Sequence, residues 1–526
     1  MATLQSPDEH RFVIICGAGA AGIIQTCEFI RHKVFPIEEV ELIDRNDGFG
    51  GVWWSNTYPG AACDIPSHLY SVSWALNPNW GRHYAPQREI QKYFEDIALK
   101  YGVDKVTTLN TEIKRATWDE NQMLWVVETR HRHTGVRKVW TCNMFISAAG
   151  QFSVPKKAEI PGLDVFKGEE WHTVQWPKNA DLRGKTLGII GTGPSAAQLI
   201  PKIHKLVARM IIYQRSPSFC IPRRDEENSP LKKWVFAKIP FAMRLYRSYL
   251  YYMGEFLGRN AFVPGTWWQK QAIALAHGHV DNQVRDEKLR GKLKSKDHFG
   301  CKRPLVLDDY YPVFNEPNVE LVTDSVVGLA EHGIISKNQE TRQTDERQVD
   351  VLIWGTGFKS GSFGTAVPIV GRKGEFLHEK YSPDNFSLYG VAIDDFPNFF
   401  NFLGPNSLSF EQSVMETFEM QSKYILQVAR YLYNKNKGSF RYAVMPRADV
   451  VKSWTLSLRP GQAKHPAQAP TCHSYYKGES GMVYSYPYRW AKYKQLIKKP
   501  NLEKDWVLLW GRPGSKSTSI TKIGLP

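Results

Sequence analysis

Phe12-Val-Ile-Ile-Cys-Gly17-Ala-Gly19-Ala-Ala-Gly22 is a short apolar run that feeds directly into three glycines. The run has the β-branched character of a buried strand, and helical residues follow through Ile30. A second strand, Val40–Ile43, ends at Asp44. Strand, glycine loop, helix, strand and acid is the order of a dinucleotide-binding unit. Gly17 allows the tight turn, Gly19 lets a pyrophosphate approach the backbone, and Gly22 lets the helix pack on the strand. The phosphates would sit at the helix N-terminus, where N–H groups are free. Asp44 would accept from ribose hydroxyls. A glycine-rich turn with no ligand leaves the acid unexplained.

The pattern recurs. Thr186–Gly191 reads as a strand and Gly191-Thr-Gly193-Pro-Ser195-Ala196 as its loop, with a helix running toward Leu206. The next strand, Met210–Tyr213, is followed by Gln214-Arg215-Ser216 in place of an acid. A guanidinium and a hydroxyl there suit a 2′-phosphate, which Arg pairs in a bidentate way. Taken alone, Arg215 is also an ordinary surface cation. The first loop therefore reads as an FAD site and the second as an NADPH site. The fold class expected is α/β, with two Rossmann-like dinucleotide-binding domains. Their boundaries fall at 1–155 for the first part of the FAD domain, 156–345 for the NADP domain, and 346–526 for the rest of the FAD domain and the tail.

Between the loops lies Phe166-Lys-Gly168-Glu-Glu-Trp-His172-Thr-Val-Gln-Trp176-Pro177. Neutral linkers are rich in Gly, Ser or Pro. This one carries two Trp and a His, and its bulk suggests packing between two domains. Gly48-Phe-Gly50-Gly51-Val-Trp53-Trp54 is loop chemistry, with a Trp suited to flank a flat ring. Asp64, in Gly60-Ala-Ala-Cys63-Asp64-Ile-Pro66-Ser67, sits among apolar neighbours and needs a partner or a turn to cap. Pro86–Tyr101 reads as an amphipathic helix, and Met123–Thr129 with Val136–Ile146 as a hairpin about His133-Thr-Gly135. Residues 229–290 are helical, aromatic and cationic, broken at Pro240. They read as a helical insertion in the NADP domain that covers part of the site; a cap packed on the protein and a membrane-surface segment both fit such a composition. Asp350-Val-Leu-Ile-Trp-Gly355 is a strand expected to return the chain to the first domain.

The totals narrow the class. Over 526 residues, 42% apolar and 23% charged content is ordinary for a globular chain, and 17 Trp favour lined cavities. The net charge of +16 is spread along the chain, mildly concentrated at Lys292–Arg303 and Lys492–Lys499, which argues for an anionic cofactor and against nucleic acid. The seven Cys show no C-x-x-C spacing, so reduced thiols in a cytoplasmic setting are expected, with no metal site. No run approaches the ~20 apolar residues of a membrane span, and the first ten residues lack a signal-peptide core.

Together these residues resemble the class B flavoprotein monooxygenases, specifically the type I Baeyer–Villiger monooxygenases, from about Phe12 to about Trp506. The connector fits that group's fingerprint at Phe166, Gly168, His172, Trp176 and Pro177. Gly355-Thr-Gly-Phe358 resembles its Ala-Thr-Gly-Phe element. Gly60–Ser67 and Cys301-Lys302-Arg303-Pro304 also match. The resemblance implies FAD and NADP as cofactors, with dioxygen and a small ketone as substrates. Gly51, Trp53, Trp54 and Ser195 join the cofactor-binding set. NADPH would reduce FAD, the flavin would trap dioxygen as a C4a-peroxide, and attack on the ketone would give an ester or lactone. Arg303 would be the active-site cation beside the flavin and Asp64 its partner. Lys302, Arg215 and Ser216 would hold the 2′-phosphate. His172 and Trp176 would couple domains rather than do chemistry. Where the group tends to have Ser-Trp-Tyr-Lys, this chain has Ser474-Tyr475-Tyr476-Lys477, which alters the expected pocket. A related enzyme oxidising nitrogen or sulfur would not need Arg303. A disulfide reductase would need a Cys pair beside the flavin.

Overall fold

A computed structural model describes residues 7–359, 366–409, 412–478, 480–514 and 519–523. Two sheets organise it. The first has Glu9–Cys16 at its centre, parallel to Val40–Ile43 on one side and to Arg137–Ser147 on the other. Helix Ala20–His32 leaves the glycine loop and packs on helix Val414–Lys435. The expected hairpin is present: Leu124–His131 pairs antiparallel with Arg137–Ser147 and with Thr111–Asp119. Ile369–Val370 and Phe399–Asn401 return late in the chain to pair Thr111–Asp119 and Arg137–Ser147.

The second sheet is wholly parallel, in the order Val319–Val322, Arg209–Tyr213, Thr186–Ile190, Val351–Trp354, Glu169–His172. This order corrects two expectations. Val351–Trp354 does not return to the first sheet. It lies between Thr186–Ile190 and Glu169–His172, and all four of its residues are buried. A fully apolar strand buried on both faces needs neighbours on both sides, and the second sheet supplies them. The boundary expected at 345/346 therefore falls later, and the chain rejoins the first sheet at Ile369. The connector, expected to pack between domains, supplies Glu169–His172 as the edge strand of the second sheet.

Four helices, Pro230–Lys238, Ala242–Ala261, Trp267–Gln283 and Glu287–Leu293, form the insertion. Pro240 falls in the corner between the first two, where it cannot continue a helix. The insertion docks through a polar contact. Arg247, 7% exposed, donates to the carbonyls of His68, Leu69 and Ser71 at 3.0, 3.1 and 2.6 Å.

Candidate active site

The two glycine loops are shaped by close approach. At Gly17, φ is +108°, and a Cβ would lie 2.6 Å from the Ala148 carbonyl oxygen. At Gly22, a Cβ would lie 1.9 Å from the Gly17 oxygen, so only glycine lets helix and strand pack this closely. Gly19 faces more open space, with Gly51 Cα at 3.5 Å as its nearest neighbour among the described residues. Gly51 thus brings the Trp53–Trp54 turn over the loop, and Trp53 Nε1 donates to the Tyr70 hydroxyl at 3.0 Å. Asp44 is buried and accepts from the Ala18 and Asn46 backbone N–H groups at 2.6 and 2.7 Å. Burial pushes its carboxyl above the usual range, against the pull of those two N–H groups. A cavity of about 610 Å³ opens beyond it, lined by Arg45, Asn46, Asp47 and Trp54 on one side and by Gln175 and Trp176 of the connector on the other.

The second loop repeats this geometry. Gly191 has φ +101° and would meet the Gly355 oxygen at 2.6 Å, while Gly193 has no neighbour closer than 3.9 Å among the described residues. Helix Pro194–Ile203 begins there with no side-chain cap and no acid in its first turn, as does helix Ala20–His32 after Gly19. Both N-termini present free N–H groups to an anion. Ala196 is fully buried against Gly355. Beside the loop, Lys302 Nζ donates to the Ser216 hydroxyl at 2.5 Å. Burial pushes the Lys302 ammonium down, and nearby Arg215 adds to this against the opposing pull of Asp297. Two cations that repel one another, with a hydroxyl beside them, are a donor set suited to phosphate.

The two halves meet at Asp64 and Arg303. The loop carrying Asp64 rests on helix Pro194–Ile203. Tyr58 donates to Gln198 Oε1 at 2.9 Å and also reaches Ser195, while Gln198 Nε2 donates to the Ala62 carbonyl at 3.0 Å. Asp64 then receives Arg303 in a fork, Nε to Oδ2 at 2.6 Å and Nη2 to Oδ1 at 3.2 Å. The Arg303 side chain stays 26% exposed. Burial works against its charge, but Asp64, with Tyr476 and Tyr475, raises its affinity for the proton well above the ordinary value. The result is a cation fixed in place by Asp64.

Sequence reasoning placed Ser474–Lys477 at the pocket but missed the bond that holds it there. Cys301 and Cys472 form a disulfide, with Cα atoms 5.8 Å apart, which overturns the expectation of reduced thiols throughout. Partners 171 residues apart have no spacing signature to read. The bridge clamps the loop carrying Arg303 to the loop carrying Tyr475 and Tyr476. Tyr475 donates to the Tyr476 hydroxyl at 2.7 Å, Tyr484 donates to the Tyr475 carbonyl at 2.5 Å, and Tyr476 hydrogen-bonds Arg303. The segment that departs from the usual Trp therefore still reaches the central cation.

Comparison with known proteins agrees with this geometry. A family model described as flavin-binding monooxygenase-like matches residues 76–430. The chain belongs to the flavin-binding monooxygenase-like family. It is 57% identical to FAD-binding monooxygenase BOA2 of Botryotinia fuckeliana, over 99% of this chain and 98% of the relative. It is 32% identical to a Baeyer–Villiger monooxygenase of Streptomyces coelicolor, over 97% and 95%. The solved structure of an oxidised steroid monooxygenase bound to NADP overlays with a TM-score of 0.78 at 26% identity, over 93% of this chain and 97% of that one. The chain is a flavin-dependent monooxygenase of the Baeyer–Villiger type, and both dinucleotide loops expected of the type are formed.

In this monooxygenase the fingerprint histidine has a defined place. His172 is 1% exposed; its Nε2 donates to the Gly357 carbonyl at 3.0 Å, and its Nδ1 accepts from the Val174 N–H at 3.2 Å. Burial lowers its pKa, more than the carbonyls of Gly357 and Lys156 raise it, which favours the neutral ring. Trp171 and Trp176 pack edge to face with centroids 5.4 Å apart. The connector is thus tied to the Gly355–Phe358 turn, which itself abuts the second glycine loop. Among the described residues, no group of His, Cys, Asp and Glu is arranged to hold a metal.

Proposed function

We propose that this protein uses NADPH and FAD to insert one oxygen atom of dioxygen next to a ketone carbonyl, giving an ester or lactone. The observation that carries the reading is the forked Arg303–Asp64 pair where the two nucleotide halves meet. FAD would lie along Gly17, Gly19 and Gly22, with Asp44 toward its ribose and Gly51, Trp53 and Trp54 over it. NADPH would lie along Gly191, Gly193, Ser195 and Ala196, with its 2′-phosphate on Arg215, Ser216 and Lys302. When bound and reduced, the flavin supplies the activated oxygen. The residues of this chain do the rest. Arg303 holds a positive charge where the ketone oxygen becomes negative, and it cannot lose its proton there. Asp64 orients the guanidinium and offsets the cost of burying it. Tyr475 and Tyr476 close the opposite side and limit water. The test is a screen of linear, cyclic and aryl ketones with NADPH, scored by product mass and by ester formed per NADPH consumed. Oxidation of amines or sulfides with no ketone product would reject the reading.

Two expected results bear on the cofactor sites. Lys302→Ala, and separately Arg215→Ala, should raise the KM for NADPH about tenfold or more and leave the KM for NADH nearly unchanged, because each change removes a charge-assisted bond to a group that NADH lacks. An equal effect on both nicotinamides would remove these residues from the phosphate site. His172→Gln should leave FAD bound but slow flavin reduction or raise NADPH use per product by a few-fold, since Gln cannot span both Gly357 and Val174 from a rigid ring. Unchanged rates and coupling would deny the connector a part in domain coupling.

A further inference from the structure

The insertion wears its apolar face outward. In helix Ala242–Ala261, Leu245, Tyr249, Tyr252, Met253, Phe256 and Leu257 recur at helical spacing, and all are exposed, Leu245 by 70%. The inward face carries the buried Arg247, near Glu416 and Glu419 at 4.0 and 3.8 Å. This inverts the usual arrangement of a surface helix. The neighbouring helices extend the patch with Trp234 and Trp267. Residues 231–275 hold 14 of the 24 large apolar side chains exposed among the described residues. At the corner between the first two helices, Phe241 takes a left-handed backbone with φ +65°, and the residue is 67% exposed. That conformation is costly for a non-glycine residue, and burial in this chain does not repay it. A patch of this size and aromatic content marks a surface made to be covered.

We propose that this face docks the enzyme on a lipid bilayer carrying anionic headgroups. Charge decides between a bilayer and a second copy of the chain. Besides the buried Arg247, and Lys232, whose ammonium lies against Tyr246, residues 231–275 contain Lys233, Lys238, Arg244, Arg259 and Lys270 against the single acid Glu255. An isologous contact between two such faces would set cations against cations. Anionic headgroups neutralise them, while the Trp, Tyr and Phe rings settle at the depth they favour in a bilayer. Among the described residues no helix is long and apolar enough to cross a membrane, so the helices would lie in the interface plane. The patch also leads inward. Phe262, next to the end of helix Ala242–Ala261, packs against the Cys301–Cys472 cluster beside Arg303.

The test is flotation of the full-length holoenzyme with vesicles of phosphatidylcholine containing about one-third phosphatidylserine, against phosphatidylcholine alone. Binding to the anionic vesicles should be about tenfold stronger and should fall in ~0.5 M salt, as a partly electrostatic attachment must. A Leu245→Ser/Tyr252→Ser/Phe256→Ser variant should lose most of the binding while keeping its bound flavin and melting temperature. Lys238→Glu/Arg244→Glu should lose the preference for phosphatidylserine. No flotation of the wild type at low salt, or flotation unchanged in both variants, would overturn the proposal. So would a dimer in light scattering that the triple serine variant converts to monomer, since the covering partner would then be a second copy.

Discussion

Arg303→Ala is expected to lower ketone oxidation by about 10²–10³-fold or more while leaving NADPH-dependent flavin reduction near the wild-type rate. The magnitude follows from what the residue holds. A guanidinium forked to Asp64 at 2.6 and 3.2 Å is set in place before substrate arrives, so its field costs no reorganisation when charge develops on the carbonyl oxygen. The dissociation between the two half-reactions follows from position, because Arg303 lies where the halves meet and not in either glycine loop. Stopped-flow flavin absorbance measures reduction, and product mass measures oxygen insertion. Arg303→Lys should recover part of the activity, since it restores the charge without the fork. Asp64→Ala should fail differently. It leaves a largely buried cation unpaired, which costs about 3–5 kcal/mol, so stability should fall together with turnover. Intact ester formation by Arg303→Ala would remove Arg303 from the chemistry. Oxidation of an amine or sulfide that survives the change would point to the heteroatom reaction.

Much of this site was legible because it is local. Val40–Ile43 is a strand at the bounds expected for it, its three apolar residues buried together with Glu41, and Asp44 lies at its end. Each glycine loop sits between a strand and a helix, as its spacing requires. Arg303 and Asp64 are 239 residues apart, and their pairing was expected through family resemblance and not through periodicity. What could not be read is non-local. The apolar run Val351–Trp354 marks a buried strand, but nothing in its four residues says which sheet holds it. The spacing of Leu245, Tyr249, Tyr252 and Phe256 marks one face of a helix but not the side on which the protein lies. Arg247 settles that only once the carbonyls of His68, Leu69 and Ser71 are seen around it. Tyr476 has no neighbour in sequence that foretells Arg303.

The clearest case of non-local pairing, Cys301 with Cys472, also carries the second large expected effect. Closing a loop of this length limits the unfolded chain by up to roughly 5 kcal/mol in the entropic account. Cys301→Ser and Cys472→Ser should each lower the melting temperature by on the order of 5 °C, and the double variant by no more than either alone, because the first change already opens the bridge. A reductant should bring the wild type to the same value and leave the variants where they are. Of seven cysteines, five should titrate in denaturant without reductant and all seven with it. The functional consequence separates this from a plain loss of stability. Without the bridge, Tyr475 and Tyr476 are held toward Arg303 by hydrogen bonds, including Lys477 Nζ to the Cys472 carbonyl at 2.9 Å, and by a small apolar cluster with Ala467 and Val483. The open side of the site then admits water, so product formed per NADPH should fall several-fold at temperatures well below melting, while flavin reduction stays constant. Seven titrating thiols before reduction, with additive effects of the two serines, would show that the bridge does not form. A lowered melting temperature with unchanged coupling would leave it a staple of the tail with no part in closing the site.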